Sequence, residues 1–185
     1  MKSYISVFTK LPVLVVLSVL FSACFKDVDL DQKENIVLSP EIDVDLVIYS
    51  LDKTDFQDPT TGAFKPVISD TVRLEFLDDD YIQDDLTSVE FYFRHINTFP
   101  REIESKIRFL SNSNQEQFSV NYTISAGGIG NPVITDTTEL IETARIGEVR
   151  RTIKMVVELE VQPGGAAFEG ELDFASKGLF WFDFK

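Results

Sequence analysis

The side chains with chemistry to offer in this chain are one thiol, one imidazole, one indole and a surplus of carboxylates. Cys24, His95 and Trp181 are each the sole residue of their type, against 31 Asp and Glu. His95 follows the run Val89–Arg94 and precedes Asn97 and Phe99-Pro100. Catalysis by a Ser-His-Asp set needs a nucleophile held beside the imidazole, and no nucleophile-elbow pattern occurs. One imidazole and one thiol are too few soft or nitrogen ligands for a transition metal. His95 therefore reads as a structural or surface residue.

The carboxylates are harder to assign. Asp78, Asp79, Asp80, Asp84 and Asp85 surround Tyr81-Ile82, and oxygen-rich loops suit a hard cation such as calcium. The spacing is not that of an EF-hand, and no Gly supplies the tight turn. A solvated acidic hairpin loop is the simpler expectation, and Asp52, Asp55 and Asp58 read the same way. Two carboxylates facing each other across a cleft hydrolyse glycosides, but acids are too numerous here for a pair to stand out. Gly127-Gly128-Ile129-Gly130 is followed by Asn131-Pro132, where a nucleotide fingerprint requires a helix. The sequence thus points to no catalytic residue, no metal and no cofactor, and the protein is expected not to be an enzyme.

Cys24 is the residue with a clear assignment. Lys2 and Lys10 precede the apolar run Leu11–Phe21, which ends in Ser22-Ala23-Cys24. A basic start, a short apolar core and a small-residue site make a secretory signal peptide. The core is too short to span a bilayer, which takes roughly 20 residues. Ser-Ala-Cys resembles the lipobox of bacterial lipoproteins, with Phe21 where Leu is usual. That resemblance implies cleavage before Cys24, a diacylglycerol on its sulfur and an acylated new amine. Each buried CH₂ contributes on the order of 0.8 kcal/mol, and more than one chain anchors stably.

Cleavage there removes Lys2 and Lys10, so the 17 cations of the chain fall to 15 against 31 acids, a net charge of −16. No basic stripe exists to displace phosphate counterions, which argues against nucleic acid. The same charge argues against electrostatic adhesion to anionic lipid. With its only thiol acylated, the mature chain has no disulfide and must be held by packing. Its many Phe, with Trp181, predict an aromatic core.

Three segments follow: a signal peptide over 1–23, the lipidated Cys with an acidic tether over 24–33, and a folded domain over 34–185. Within the domain, apolar and polar residues alternate with period two. Val44, Leu46 and Ile48 are expected inward. The same holds for Val72, Leu74 and Phe76, for Val89, Phe91 and Phe93, and for Ile107 and Phe109. Phe118, Val120 and Tyr122 follow suit, and Met155, Val157 and Leu159 lie in the longest run, opposite Lys154, Glu158 and Glu160. Turn residues separate these runs. Six to nine short strands predict an all-β, Ig-like antiparallel β-sandwich. One short helix is expected near 137–145, where Asp136-Thr137-Thr138-Glu139 resembles a capping box before Leu140, Ile141 and Ala144. In the last strand the Phe side faces inward, which turns Leu179 and Trp181 outward. These two residues and Tyr81 are the candidate interaction surface.

Ser22-Ala23-Cys24, the Lys26-Asp27 tether with Asp29 and Asp31, and the aromatic strand running into Asn97-Thr98-Phe99-Pro100 are similar to small lipoproteins of Bacteroidota, flavobacteria in particular. The resemblance implies outer-membrane location with exposure at the cell surface. It also implies an accessory role beside a barrel protein or other lipoproteins of secretion, gliding, barrel-assembly or uptake machinery. An independent module that binds glycan or another ligand is the alternative. Asp70-Thr71-Val72 resembles an O-glycosylation acceptor of that phylum. No catalytic residue comes with the resemblance.

Overall fold

Lys154–Val161 shows how the alternation becomes structure. Met155, Val157, Leu159 and Val161 are buried on one side of this strand, while Glu160 on the other is exposed. The computed structural model describes residues 39–164 and 167–184, so the signal peptide, Cys24 and the tether lie outside the described residues. In chain order the strands are β1 (Glu41–Asp52), β2 (Val67–Arg73), β3 (Leu86–Asn97), β4 (Ile103–Leu110), β5 (Glu116–Ile124), β6 (Val133–Ile141), β7 (Lys154–Val161) and β8 (Glu171–Phe182). Two short helices interrupt them, α1 (Asp80–Asp85) and α2 (Ile146–Arg150), and a 3₁₀ turn covers Glu75–Asp78.

All pairings are antiparallel, in two four-stranded sheets ordered β1-β8-β3-β6 and β2-β7-β4-β5. The expected antiparallel β-sandwich is thus present. Its strand order is not the Ig-like one expected: it is that of an eight-stranded jelly roll, in which successive strands change sheets except at the β4–β5 hairpin, a pairing that alternation within strands does not specify. Each sheet buries one face against the other. Phe91, Phe93, Phe109, Phe174 and Phe180 are fully or almost fully buried there, and Phe109 stacks on Phe118 with ring centroids 4.2 Å apart.

Three local expectations need correction. The segment 137–141 is the end of β6, and the helix begins only at Ile146. The carboxylate that would cap a helix at Asp136 is held across the sheet by Arg94, whose Nε and Nη2 donate to it at 2.7 and 3.0 Å. The acidic segment is not an open hairpin loop, because the 3₁₀ turn and α1 anchor it through buried Leu77 and Ile82. Strand β2 also ends at Arg73, so Leu74 and Phe76 join the core through that turn instead of continuing the strand.

A fourth correction concerns β1. Its register on β8 slips between Asp45 and Val47, so Leu46 and Val47 together oppose Ser176. Such a bulge inverts the alternation beyond it. Tyr49 and Leu51 turn inward, and Ile48 turns out to solvent with 69% of its surface exposed.

The end of the sandwich remote from Glu41 is braced by Asn97. Its buried amide donates to the carbonyls of Arg101 and Ser125, and its Oδ1 accepts from the Phe99 amide. Gly127 passes so close to this turn that a Cβ there would meet the Asn97 carbonyl oxygen. Phe99 and Phe168 stack at 4.0 Å, with Phe56 edge-on to both.

Candidate interaction surfaces

Strand β8 places the three residues singled out by sequence at one end of the sandwich. Leu179 and Trp181 lie on its outward side, each half-buried, and alternate with buried Gly178, Phe180 and Phe182. The Trp181 indole N–H donates to Glu41 at 3.0 Å. Its ring borders an open depression with Ser88, Leu140, Glu142 and Thr143. Tyr81, on α1, packs against Phe182 at 5.7 Å, and the Asp183 amide donates to the Asp85 carbonyl at 3.0 Å. Tyr81 and Trp181 thus flank the same strand end from opposite faces. Burial, and then a hydrogen bond with Asp79, raise the Tyr81 phenol above its ordinary pKa.

His95 is fully buried. Its Nδ1 lies 3.1 Å from the Tyr122 hydroxyl, and its ring lies 4.5 Å from that of Phe174. Burial lowers its pKa to about 3, so the imidazole is neutral and closed to any substrate at physiological pH. It belongs to an aromatic row across the core that runs from Tyr49 through Phe174 and His95 to Tyr122. Burial is also the main cause that keeps the Tyr49 and Tyr122 phenols protonated.

The acidic turns serve the chain itself. Asp52 accepts from the Thr54 amide and hydroxyl, and Asp58 accepts from the Thr60 and Thr61 amides and the Thr61 hydroxyl. These hydrogen bonds hold both carboxyls below the ordinary carboxylate range. Among the described residues, no three His, Cys, Asp or Glu side chains converge as metal ligands. Thr71 of the Asp70-Thr71-Val72 acceptor pattern is exposed on β2, and its amide donates to Asp70.

Two features were not legible in the sequence. The first is an apolar diagonal across the outer face of the β1-β8-β3-β6 sheet. Ile48 pairs with Ala175, and Ile96 pairs with Ile134. Ala175 and Ile96 are diagonal neighbours, since Ala175 pairs with Arg94. Ile48 and Ile134 are 69% and 57% exposed, and a shallow depression of about 310 Å³ lies over Ile48, Ile96 and Ala175. A one-residue bulge put Ile48 there, and no local signal in Val47-Ile48-Tyr49 announces it.

The second is a cleft of about 230 Å³ on the open side of the sandwich, between edge strands β1 and β2. Tyr49 and Leu51 form one wall, Ile68 and Asp70 the other, and Val157 and Leu159 the floor. Asp70 pairs with buried Val157 between the pairs Ile68–Leu159 and Val72–Met155, which puts a carboxylate on the inward side of an edge strand. Charges placed this way discourage edge-to-edge association. The Tyr49 hydroxyl is buried and has no hydrogen-bond partner.

No family model matches this chain, and no curated protein matches it in sequence. Among solved structures, it is similar to VP2 of the infectious bursal disease virus subviral particle, at 12% identity over 78% of this chain and 33% of that one, with a TM-score of 0.45. It is also similar to a protein of Parabacteroides distasonis described as secreted, at 14% identity over 60% and 37% of the two chains, with a TM-score of 0.44. A third is the Bacillus endospore appendage pilus, at 7% identity over 79% and 88%, with a TM-score of 0.34. The chain spans about a third of the length of the first two. All three scores lie below 0.5, and the functional reading rests on this chain's own residues. No helix among the described residues is long and apolar enough to cross a membrane.

Proposed function

We propose that the protein is a lipid-anchored, non-enzymatic accessory subunit of an outer-membrane protein complex, displayed at the cell surface. The observation that carries the binding role is the apolar diagonal of Ile48, Ala175, Ile96 and Ile134 on an otherwise strongly acidic chain. A contiguous apolar patch rimmed by polar residues marks an interaction site more often than scattered exposed leucines or valines do. Lys177, Arg94 and Asp136 lie beside this diagonal and supply a polar rim. The anchoring role is supported by Ser22-Ala23-Cys24 and the polar tether, which leads to Glu41 at the Trp181 end of the sandwich. The partner class that fits is a barrel protein or another lipoprotein of the same membrane.

The test is copurification from detergent-solubilised outer membrane, with wild-type chain compared against Ile48→Asp and Ile134→Asp. Both positions are exposed, so the substitutions leave the fold intact. A partner that copurifies with wild type and is lost from both variants supports the reading. A partner retained by both moves the interface elsewhere, and no partner at all sinks the accessory role.

The depression beside Trp181 favours a second reading, an independent glycan- or ligand-binding module. An indole flanked by Ser88, Glu142 and Thr143 offers a stacking face with hydroxyl and carboxylate partners. Retardation by soluble polysaccharide that disappears in Trp181→Ala would favour this reading over the first.

A further inference from the structure

The cleft between β1 and β2 has an uneven chemistry. Its walls and floor are aliphatic, from Leu51, Ile68, Val157 and Leu159, and its only charged groups are the carboxylates of Asp55 and Asp70. Each accepts one backbone hydrogen bond, Asp55 from the Asp52 amide and Asp70 from the Thr71 amide, at 2.8 and 2.7 Å. Neither forms an ion pair with a Lys or Arg among the described residues. The Tyr49 hydroxyl lies buried in the wall with its hydrogen-bonding capacity unused. An anion would be repelled here. A flexible aliphatic stem ending in a delocalised cation matches both the apolar lining and the acceptors.

We propose that this cleft receives the arginine or lysine side chain of a protein partner. The stem packs between Ile68 and Leu51 over Leu159, and the cationic head meets Asp70 and Asp55. The inference rests on the protein-binding role and adds the chemistry by which the partner is recognised. It is continuous with the apolar diagonal, because the bulge turns Ile48 out of edge strand β1 and the next residue, Tyr49, into the cleft. A partner that grips this edge would meet an apolar surface on one side and an acidic slot on the other. Buried arginines of this kind are frequent anchors of protein interfaces.

The experiment has two arms, both on the full lipidated chain, the first in detergent and the second in cells. In the first, methyl resonances of Leu51, Ile68, Val157 and Leu159 are followed during titration with n-butylguanidinium, and with neutral n-butylurea as the isosteric control. The expected result is saturable shifts for the cation alone, weakened about tenfold or more in Asp70→Asn. Tyr49→Phe should keep the melting temperature, since only an unpaired hydroxyl is removed from the folded chain. Absence of saturation at tens of millimolar, equal binding of the urea, or an unaltered Asp70→Asn response would each overturn the proposal. In the second arm, a photocrosslinker at Ser69 is activated in intact cells. Capture that depends on Asp70 supports the cleft as part of the interface. Capture that persists in Asp70→Asn overturns the cleft while leaving the accessory role in place. Capture at no position, Ile48 and Trp181 included, overturns the accessory role, and the butylguanidinium titration then still decides the cleft by itself.

Discussion

Ser176 holds both backbone groups of Val47: the Val47 amide donates to its Oγ at 3.1 Å, and the Ser176 hydroxyl donates to the Val47 carbonyl at 3.1 Å. A bulge leaves backbone groups of the extra residue without ladder partners. A buried serine on the facing strand satisfies them here. The bulge in turn decides which residues of β1 face outward. Ser176→Ala removes both bonds and leaves the Val47 amide without its partner, for an expected loss of about 1–3 kcal/mol. Urea unfolding measures it, and a loss within a few tenths of a kcal/mol of zero would show that the bulge holds without the hydroxyl.

Leu159 tests the inner face of β7. It is 2% exposed, pairs with Ile68 on one side and Ser105 on the other, and forms part of the floor of the cleft. Leu159→Ala should cost about 2–5 kcal/mol, the range for deleting a large core side chain. Glu158 points outward and reaches Arg108 only at 3.7 Å, a distance at which a solvated pair contributes little. Glu158→Ala should stay within about 0.5 kcal/mol of wild type. Comparable losses for the two variants would show that the register of β7 is misassigned.

These two strands mark what sequence could and could not say. In β7 the inward positions Met155, Val157, Leu159 and Val161 are all apolar, so their placement follows from alternation, although Val156 on the other side is buried as well. In β1 a single extra residue inverts the faces, and the serine that satisfies its backbone sits on β8, far away in sequence. The layers of the sandwich were legible because each strand buries one side. Its strand order was not, since pairing is set by non-local contacts. Connection lengths do not reveal it either: Thr98–Glu102 and Ser111–Gln115 are equally short, yet β3 and β4 change sheets while β4 and β5 pair as a hairpin. The false helix at 137–145 arose because Asp136 suits a cap equally well as a cross-strand partner, and Arg94 is invisible to a local pattern. Tyr81, Leu179 and Trp181 stand out in the sequence because aromatic and acidic residues cluster there, and their grouping at one end of the sandwich is what the fold adds. The cleft was missed because Tyr49 and Asp70 meet only through the stacking of two edge strands.

His95 makes stability depend on pH with a defined sign. In the unfolded chain an imidazole titrates near 6.5, whereas burial holds it at about 3 in the native state. Between these values the unfolded chain binds a proton that the folded chain refuses. The contribution is therefore complete above about pH 6.5 and is lost progressively as pH falls towards 3. Between pH 7 and pH 5, where most carboxylates remain ionised, the loss should be about 2 kcal/mol. Urea unfolding of wild type and His95→Phe at both pH values isolates it. Whatever stability the variant starts from, its pH slope should be shallower by about that amount. Equal slopes would mean that His95 is free to protonate in the folded protein.

The proposed lipid anchor stands on Cys24. A thioether-linked diacylglycerol requires the sulfur, and neither oxygen nor carbon at that position can replace it. In Cys24→Ala the chain should accumulate as an uncleaved precursor or appear in a soluble fraction, and labelled palmitate should not be incorporated. The folded domain should be unchanged, because residue 24 lies outside the sandwich, whose first strand begins at Glu41. Membrane fractionation and the mass of the mature amino terminus measure these outcomes together. Lipidation adds acyl mass to a chain beginning at Cys24, whereas ordinary secretion leaves a free amine and an unmodified thiol. Normal processing and membrane retention of Cys24→Ala would overturn the lipoprotein assignment and require the membrane association to reside in the sandwich itself.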